Sequence, residues 1–355
     1  MGKYTHTTTP LVGRSALPAL AEAVAPPEHR GLRRDALRLL VTGGPDDPAR
    51  HARVADLDEE LRAGDVLVVN RSATLPSSLP ATGGLRVHLS TRLGADRHVV
   101  ELRRERGHTS SPWFEGRPGM TLDLPDGESL VLEAAHPSTP AARPRLWIAR
   151  GASLPLEYLL RHGRPIQYDY TRAPWKLDAY QTVFGVEPGS AEMPSASRGF
   201  TRELVERLRE RGVVFAPITL HCGVASLEAH EPPHEEYARV EQPTLDAIAL
   251  ANATGARVVA VGTTAMRALA SARRDDGSFA PFEGLTDALL GPGDDTSYVD
   301  GLISGFHPPE ASHLQLLASM VSREHLAFAY SEAAARGYLS HEFGDAHLMW
   351  RDVGR

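Results

Sequence analysis

The sequence predicts an α/β fold that is interrupted by a small, barrel-like all-β insertion. Three observations indicate this fold: a buried strand at 65–70, a series of short alternating strands after it, and a C-terminal half in which helices and strands alternate. We therefore expect an α/β domain made of residues 1–73 and 151–355, with residues 74–150 inserted as a β domain.

The first strand follows a turn signal at Gly64 and Asp65. Residues 65–70, DVLVVN, form a short apolar run that is typical of a buried strand. Beyond residue 74 the pattern changes to LRVHLSTRL, HVVELRRE, MTLDL, SLVLEAA and RLWIAR, separated by Gly, Pro, Asp and Ser. Several short strands at nearly regular spacing predict a small barrel or sandwich.

The C-terminal half contains repeated helix and strand signals. TRELVERLRERG starts with Thr201 as an N-cap and stops at Gly212, which predicts a helix. The next stretches predict the strand VVFAPITL, the helix TLDAIALANATG, the strand RVVAVG and the helix TAMRALASARR. A strand in SYVDGLISGF and helices in ASHLQLLASMVS and EHLAFAYSEAAARG follow. This alternation predicts a largely parallel sheet.

The composition predicts an ordinary globular protein of the cytoplasm. Apolar residues make up 42% and charged residues 23% of the chain, and no apolar run approaches the roughly 20 residues that cross a bilayer. The start of the chain lacks the apolar core of a secretory signal. The net charge of −7 argues against non-specific coating of nucleic acid, although it is compatible with a local basic patch. We expect a monomer that does not contact a membrane.

The segment 219–240, TLHCGVASLEAHEPPHEEYARV, concentrates side chains that could carry chemistry. It contains three histidines, the only cysteine of the chain and four glutamates. His230 and His234 have the spacing that brings two imidazoles to one metal on a helix, but Pro232 and Pro233 lie between them. Because proline disrupts a helix interior, we expect no metal here.

Two strand-to-helix junctions are candidate ligand sites. In VAVGTTAMRAL an apolar strand ends at Gly262, and Thr263 and Thr264 open a helix whose N–H groups suit a carboxylate or phosphate. In SGFHPPEASHLQLL, His307 follows a strand at the edge where α/β sheets bind ligands. Both junctions can equally be ordinary turns, since most such turns hold no ligand.

Taken together, these motifs resemble the S-adenosylmethionine:tRNA ribosyltransferase-isomerase (QueA) family of queuosine biosynthesis. The resemblance extends over nearly the whole chain and is carried by PPEHRGLRRDALRLLV, AGDVLVVN, DAYQTVF, PGSAEMPSASRGFT, TLHCGVASLEAHEPPHEEYARV, VAVGTTAMRALAS, YVDGLISGFHPPEASHLQLL and YLSHEFGDAHLM. The α/β domain with an inserted β domain that the family has agrees with the fold predicted above.

The resemblance implies that S-adenosylmethionine donates its ribosyl group and not its methyl group. A base removes a proton from C5′ beside the sulfonium, adenine leaves, an aminomethyl deazaguanine in tRNA attacks the sugar, and methionine departs as an epoxide closes. Such a reaction needs a base close to C5′, a proton donor for adenine and a group that holds the methionine carboxylate. S-adenosylmethionine is then a co-substrate, and no metal is required.

The resemblance also implies a set of site residues, which fall into three groups. Candidates for proton transfer are His221, His234, Glu236 and His307. Candidates for binding S-adenosylmethionine are Tyr180, Gln181, Gly262, Thr263, Thr264 and Arg267. Candidates for binding the second substrate are Asn70, Ser195, Arg198 and Asp345; for Arg198 the alternative is a side chain that faces solvent.

Several blocks depart from the family pattern. The family has AAPTAGLHF where this chain has EMPSASRGF, PLPPYI where it has RPIQYDY, TNFHLP where it has SGFHPP, and YRFFSYGDA where it has YLSHEFGDA. A histidine of the family is thereby replaced by Gly199. These changes leave two alternatives open: a paralogue that acts on S-adenosylmethionine with a small-molecule acceptor or by lyase or rearrangement chemistry, and a non-catalytic protein that binds S-adenosylmethionine.

Overall fold

The structure is a computed structural model that describes residues 17–136, 144–151, 153–224, 234–309 and 311–352. Within these ranges the chain forms twenty β-strands and seven α-helices. Nine strands form one large sheet and seven form a second, while two further pairs of short strands stand apart.

The strands of the first part of the chain precede residue 75. They are β1 (Ala21–Glu22), β2 (Arg38–Thr42), β3 (Arg50–Arg53), β4 (Val66–Asn70) and β5 (Ser72–Thr74). Seven strands follow: β6 (Ser78–Ala81), β7 (Leu85–Arg92), β8 (Arg97–Arg106), β9 (Thr109–Pro112), β10 (Thr121–Asp123), β11 (Ser129–His136) and β12 (Leu146–Gly151).

The remaining strands lie in the second half of the chain. They are β13 (Glu187–Ser190), β14 (Val214–Leu220), β15 (Glu236–Val240), β16 (Val258–Val261), β17 (Phe282–Thr286), β18 (Gly301–Gly305), β19 (Leu339–Ser340) and β20 (Ala346–Trp350). The helices are α1 (Leu57–Glu60), α2 (Leu156–His162), α3 (Arg202–Glu210), α4 (Gln242–Thr254), α5 (Thr263–Ala272), α6 (His313–Met320) and α7 (Arg323–Ala335).

The large sheet has the strand order β17-β15-β14-β4-β16-β18-β20-β2-β3. Its four central strands, β14, β4, β16 and β18, run parallel. On one flank, β15 is antiparallel to both of its neighbours, β14 and β17. On the other flank, β20 is antiparallel to β18, and β2 runs parallel to β20. The prediction of a largely parallel sheet is therefore correct for the centre and wrong for the flanks.

Both faces of the large sheet are covered by helices. Val66 and Val68 of β4 point into a core shared with α4, α5, α6 and α7, whereas Leu67 and Val69 point into a second core shared with α1 and α3. Burial on both faces explains why the sequence of β4 is continuously apolar and does not alternate. The predicted strand at 65–70 is confirmed.

The helix predicted after Thr201 is also confirmed, and its cap is visible. The Thr201 hydroxyl accepts a hydrogen bond from the Leu204 N–H at 3.2 Å, and α3 ends two residues before Gly212. The predicted strand in SYVDGLISGF is shorter than expected, because only Gly301–Gly305 pairs with neighbouring strands.

The second sheet contains all seven strands between Ser78 and Gly151. Its order is β10-β11-β12-β8-β7-β6, with β9 paired to β8, and every neighbouring pair is antiparallel. One face buries an apolar cluster that includes Leu79, Val87 and Leu102. The α/β fold with an inserted β sheet is confirmed, and the boundaries at 74 and 150 remain a prediction. In the described part of the chain no helix is long and apolar enough to cross a membrane.

Candidate active site

A cleft of about 460 Å³ opens at the carboxyl ends of the central parallel strands. Its walls include residues that lie one or two positions beyond the ends of three of these strands: Cys222 after β14, Gly262 after β16 and His307 after β18. This is the edge at which α/β sheets bind ligands, and the volume is in the range of small-molecule sites.

The start of α5 forms one wall of the cleft through Gly262, Thr263 and Thr264. Gly262 has φ of 93° and ψ of 155°, a conformation that side chains avoid, and a Cβ atom there would lie 3.2 Å from the Cβ of Ala196. No side chain in the described part of the chain caps α5. The first turn therefore offers its N–H groups and the positive end of its dipole to an anionic ligand.

Arg267, one turn further along α5, forms an ion pair with Glu236 on β15. Its Nε donates to the Ala288 carbonyl at 2.8 Å, and the Gly223 N–H donates to Glu236 at 2.6 Å. Burial raises the pKa of the Glu236 carboxyl, but Arg267 and the other neighbours outweigh it, so the pKa is lowered overall. Glu236 is therefore an ionised partner that fixes Arg267 at the cleft.

His234 lies in the cleft wall just before β15. Its Nε2 is 3.3 Å from the Ser90 hydroxyl of the inserted sheet, and its buried Nδ1 has no hydrogen-bond partner among the described residues. Burial lowers the pKa of the ring, which keeps the imidazole neutral at neutral pH. His230 falls outside the described residues. Within the described ranges no group of three or more His, Cys, Asp or Glu side chains could hold a metal ion.

His307 and His313 form a stacked imidazole pair in the cleft. Their rings are parallel, with centroids 4.4 Å apart, and Nε2 of His307 is 3.1 Å from the Ser304 hydroxyl. Burial lowers the pKa of His307 well below its ordinary value and that of His313 to about 4. Both rings are therefore neutral at neutral pH.

Another part of the cleft lining carries two tyrosine–glutamate pairs that were not predicted from the sequence. The Tyr168 hydroxyl donates to Glu192, and the Tyr170 hydroxyl donates to Glu342 Oε2 at 2.8 Å. The two tyrosine rings stack at 6.5 Å. Burial raises the pKa of Glu342 to about 7. The signal that could have found these residues is their position in three of the blocks that depart from the family pattern.

His221 does not line this cleft. Its Nδ1 is 2.7 Å from the Ser72 hydroxyl, and its ring stacks on Tyr237 at 5.2 Å. A Cβ atom on Gly189 would lie 2.3 Å from the ring, so the glycine makes room for it. The structure thus places His221 against Ser72 and Tyr237, outside the residues that line the cleft.

Three further predicted residues also lie outside the residues that line the cleft. Asn70 bridges strands, donating to the Leu220 carbonyl at 2.8 Å and accepting from the Leu220 N–H at 3.1 Å. The Gln181 amide pairs with both backbone groups of Thr74 at 3.0 and 2.8 Å. Tyr180 is buried against Phe343 at 5.3 Å. Their side-chain contacts are those of structural residues.

Of the predicted binding residues for the second substrate, only Ser195 lines the cleft. Arg198 is 1% exposed, so the alternative of a solvent-facing side chain is wrong; its guanidinium pairs with Glu28 at 2.9 Å and donates to a backbone carbonyl. Asp345 accepts three hydrogen bonds from Arg38, the shortest at 2.6 Å. Both side chains hold separate segments of the chain together.

Comparisons with known proteins agree with the resemblance inferred from the motifs. The model of the family described as queuosine biosynthesis protein matches residues 15–349. The S-adenosylmethionine:tRNA ribosyltransferase-isomerase of Acidithiobacillus ferrooxidans is 35% identical over 345 residues, covering 91% of this chain and 93% of its own. The enzyme of the same name from Rhizorhabdus wittichii is 32% identical, covering 91% and 96%.

A solved structure is similar over the same extent. The crystal structure of an S-adenosylmethionine tRNA ribosyltransferase from Thermotoga maritima superposes with a TM-score of 0.52 and 25% identity, covering 94% of this chain and 99% of the other. The order of the motifs, the fold and the length of the match all agree. This chain therefore belongs to the queuosine biosynthesis protein family.

Proposed function

We propose that this protein is an S-adenosylmethionine:tRNA ribosyltransferase-isomerase of the cytoplasm. It transfers and isomerises the ribosyl group of S-adenosylmethionine onto a deazaguanine base in tRNA and releases adenine and methionine. Membership of the family over residues 15–349 supports this activity, as do the names of relatives that match nearly the whole chain.

The observation that carries the proposal is the placement of one cation, Arg267, and three neutral imidazole rings, those of His234, His307 and His313, in a single cleft. The uncapped first turn of α5 and the Arg267 guanidinium together form a subsite that can bind an anionic group. We assign this subsite to the methionine carboxylate of S-adenosylmethionine. Gly262 itself carries no side chain, and its backbone conformation, with φ of 93°, is one that other residues avoid.

We assign proton transfer to His234 and His307, which line the same cleft. Proton abstraction from C5′ requires an unprotonated base, and burial keeps both rings neutral. His234 is the stronger candidate, since its Nδ1 has no partner among the described residues. Glu236 acts through Arg267 and is a positioning residue. His221 has no direct part in this assignment, because it is not among the residues that line the cleft.

The test is incubation with S-adenosylmethionine, with and without tRNA that carries the aminomethyl deazaguanine, followed by mass spectrometry of adenine and methionine. We expect release of both products that depends on the tRNA. The substitution Arg267→Gln should weaken the binding of S-adenosylmethionine, as measured by isothermal titration calorimetry. The matched control is Arg211→Gln, which alters an exposed arginine paired with Asp58 on another part of the surface.

The other outcomes identify the alternatives. Product release without tRNA, or only after small acceptors are added, would contradict the tRNA substrate and favour the small-molecule reaction. Binding without any breakdown of S-adenosylmethionine would leave the non-catalytic binding protein. The small-molecule alternative has one structural observation in its favour: the altered blocks RPIQYDY, EMPSASRGF and YLSHEFGDA supply residues to the same wall of the cleft.

A further inference from the structure

The inserted sheet contacts the cleft through a serine of β7. The hydroxyl oxygen of Ser90 lies 3.3 Å from Nε2 of His234, which is part of the cleft wall. The same oxygen accepts a hydrogen bond from the Val224 N–H at 3.0 Å. Ser90 is buried and is not among the residues that line the cleft. A side chain of the inserted sheet therefore contacts a cleft residue although it does not itself line the cleft.

The backbone at Gly223 leaves the space in which this contact forms. A Cβ atom on Gly223 would lie 2.6 Å from Nε2 of His234 and 2.7 Å from the Ser90 hydroxyl oxygen. A side chain at this position would therefore force the two groups to move, and glycine avoids this. The Gly223 N–H donates to Glu236 at 2.6 Å, which holds the backbone of residue 223 in place.

Two further contacts join the inserted sheet to the same segment. The Thr91 hydroxyl, on the residue after Ser90, donates to the Glu235 carbonyl at 2.9 Å. The His136 ring at the end of β11 lies edge-on to the His234 ring, with centroids 6.3 Å apart. The inserted sheet therefore contacts both the ring of His234 and the backbone beside it.

The His234 ring is neutral at neutral pH, because burial is the largest influence and lowers its pKa. Four charged or titratable groups face the ring. Glu236 on β15 raises the pKa, whereas His136 on β11, Arg267 on α5 and Arg145 before β12 lower it. A neutral imidazole carries one N–H group and one lone pair, so the partner of one nitrogen decides the state of the other.

The contact with Ser90 places the hydrogen of the ring on Nε2. Among the described residues, the buried Nδ1 of His234 has no hydrogen-bond partner. Proteins leave buried N–H groups unpaired more rarely than buried acceptors. A serine oxygen has two lone pairs, which is enough for both the Val224 N–H and the Nε2–H. The ring therefore donates from Nε2 to Ser90 and keeps its lone pair on Nδ1.

Resting on the proposed function, in which His234 takes up a proton, we propose that Ser90 is a positioning residue for that step. It holds the ring in the tautomer with hydrogen on Nε2, so that Nδ1 is the nitrogen that takes up the proton. Once Nδ1 is protonated the ring is a cation, and its hydrogen bond from Nε2 to Ser90 becomes stronger. The inserted sheet therefore takes part in the reaction through Ser90.

The direct test is the nitrogen NMR spectrum of the full chain with isotope-labelled histidine at neutral pH, which shows which ring nitrogen carries the hydrogen. The His234 signals are those that disappear in His234→Gln. We expect hydrogen on Nε2 in the wild type and a mixture of both tautomers in Ser90→Ala. Ser90→Thr retains the hydroxyl and should retain the wild-type spectrum. A wild-type ring with its hydrogen on Nδ1 would overturn the inference.

The matched control is Thr91→Val, which removes the neighbouring contact to the Glu235 carbonyl and leaves Ser90 in place. The His234 signals of this variant should match those of the wild type. If Thr91→Val changed the tautomer as much as Ser90→Ala, the anchoring of the backbone would decide the tautomer, and the role given to Ser90 would be wrong.

A kinetic measurement separates this inference from the proposed function. In the release of adenine, Ser90→Ala should lower kcat roughly ten- to hundredfold, the effect of one hydrogen bond to a cation. The KM for S-adenosylmethionine should stay unchanged, because Ser90 does not line the cleft. An unchanged kcat would contradict the role of Ser90 while adenine release still supports the proposed function. Failure of the proposed function is seen separately, as a wild type that releases no adenine although Nε2 carries the hydrogen.

Discussion

Acidification should destabilise the fold through His347, a buried ring on β20. The ring is 1% exposed, its Nε2 lies 2.8 Å from the Thr42 hydroxyl, and it stacks on Phe306 at 5.5 Å. Burial, with the nearby His325 as the second cause, lowers the pKa of His347 to about 3. In the unfolded chain the same group has a pKa of about 6.5.

The direction and size of the effect follow from these two pKa values. Because the folded-state pKa is depressed, the contribution of His347 to stability is complete above pH 6.5 and is lost as the pH falls toward 3. Each pH unit in this window costs about 1.4 kcal/mol, so acidification to pH 5 costs about 2 kcal/mol. The variant His347→Gln cannot take up this proton and should lack that part of the loss.

The assay is urea unfolding of the wild type and of His347→Gln at pH 7 and pH 5. We expect the free energy of unfolding of the wild type to fall by about 2 kcal/mol more than that of the variant. The variant His29→Gln, at an exposed position, is the control for a generic histidine substitution. If the wild type and His347→Gln lost equal stability between the two pH values, the reasoning from burial would be refuted.

Two further predictions concern the N-terminal ends of α5 and α3. Gly262→Ala places a methyl group against Ala196 in a backbone conformation with φ of 93°, so we expect a loss of about 1–3 kcal/mol and weaker S-adenosylmethionine binding by calorimetry; unchanged values would show that the backbone relaxes freely. Thr201→Ala removes the hydroxyl that caps α3 at the Leu204 N–H, and we expect about 1 kcal/mol lower stability by urea unfolding with unchanged ligand affinity. A change in affinity in that variant would contradict the separation of cap and cleft.

The sequence predicts best where local pattern and tertiary environment agree. The continuous apolar run of β4 is buried on both faces, and Thr201 caps its helix through its own hydroxyl. Residues at strand ends were also identifiable: Gly262 and His307 lie in the cleft because carboxyl ends of parallel strands converge there.

The direction in which a side chain points, and its contact partners far away in the chain, could not be predicted from the local sequence pattern. The His221 ring contacts the Ser72 hydroxyl and packs over Gly189, so it is not among the residues that line the cleft. Neither contact can be predicted from the sequence around His221. Arg198 is buried because Glu28, far away in the chain, neutralises it. Glu342 likewise lies in the cleft beside Tyr170, a neighbour that is 172 residues away in the chain. The monomeric state and the absence of a metal remain predictions.

The pairing of β20 with both β18 and β2 has a consequence for how the chain folds. The last strand joins the first strands to the parallel centre, with Leu40 opposite His347. The large sheet therefore cannot close until residues 346–350 have left the ribosome, and until then β18 has an unpaired edge. The inserted sheet pairs strands within 78–151 and can form during synthesis, because its contacts are local. Deletion of β20 alone should leave a folded insertion attached to an incomplete, aggregation-prone α/β domain.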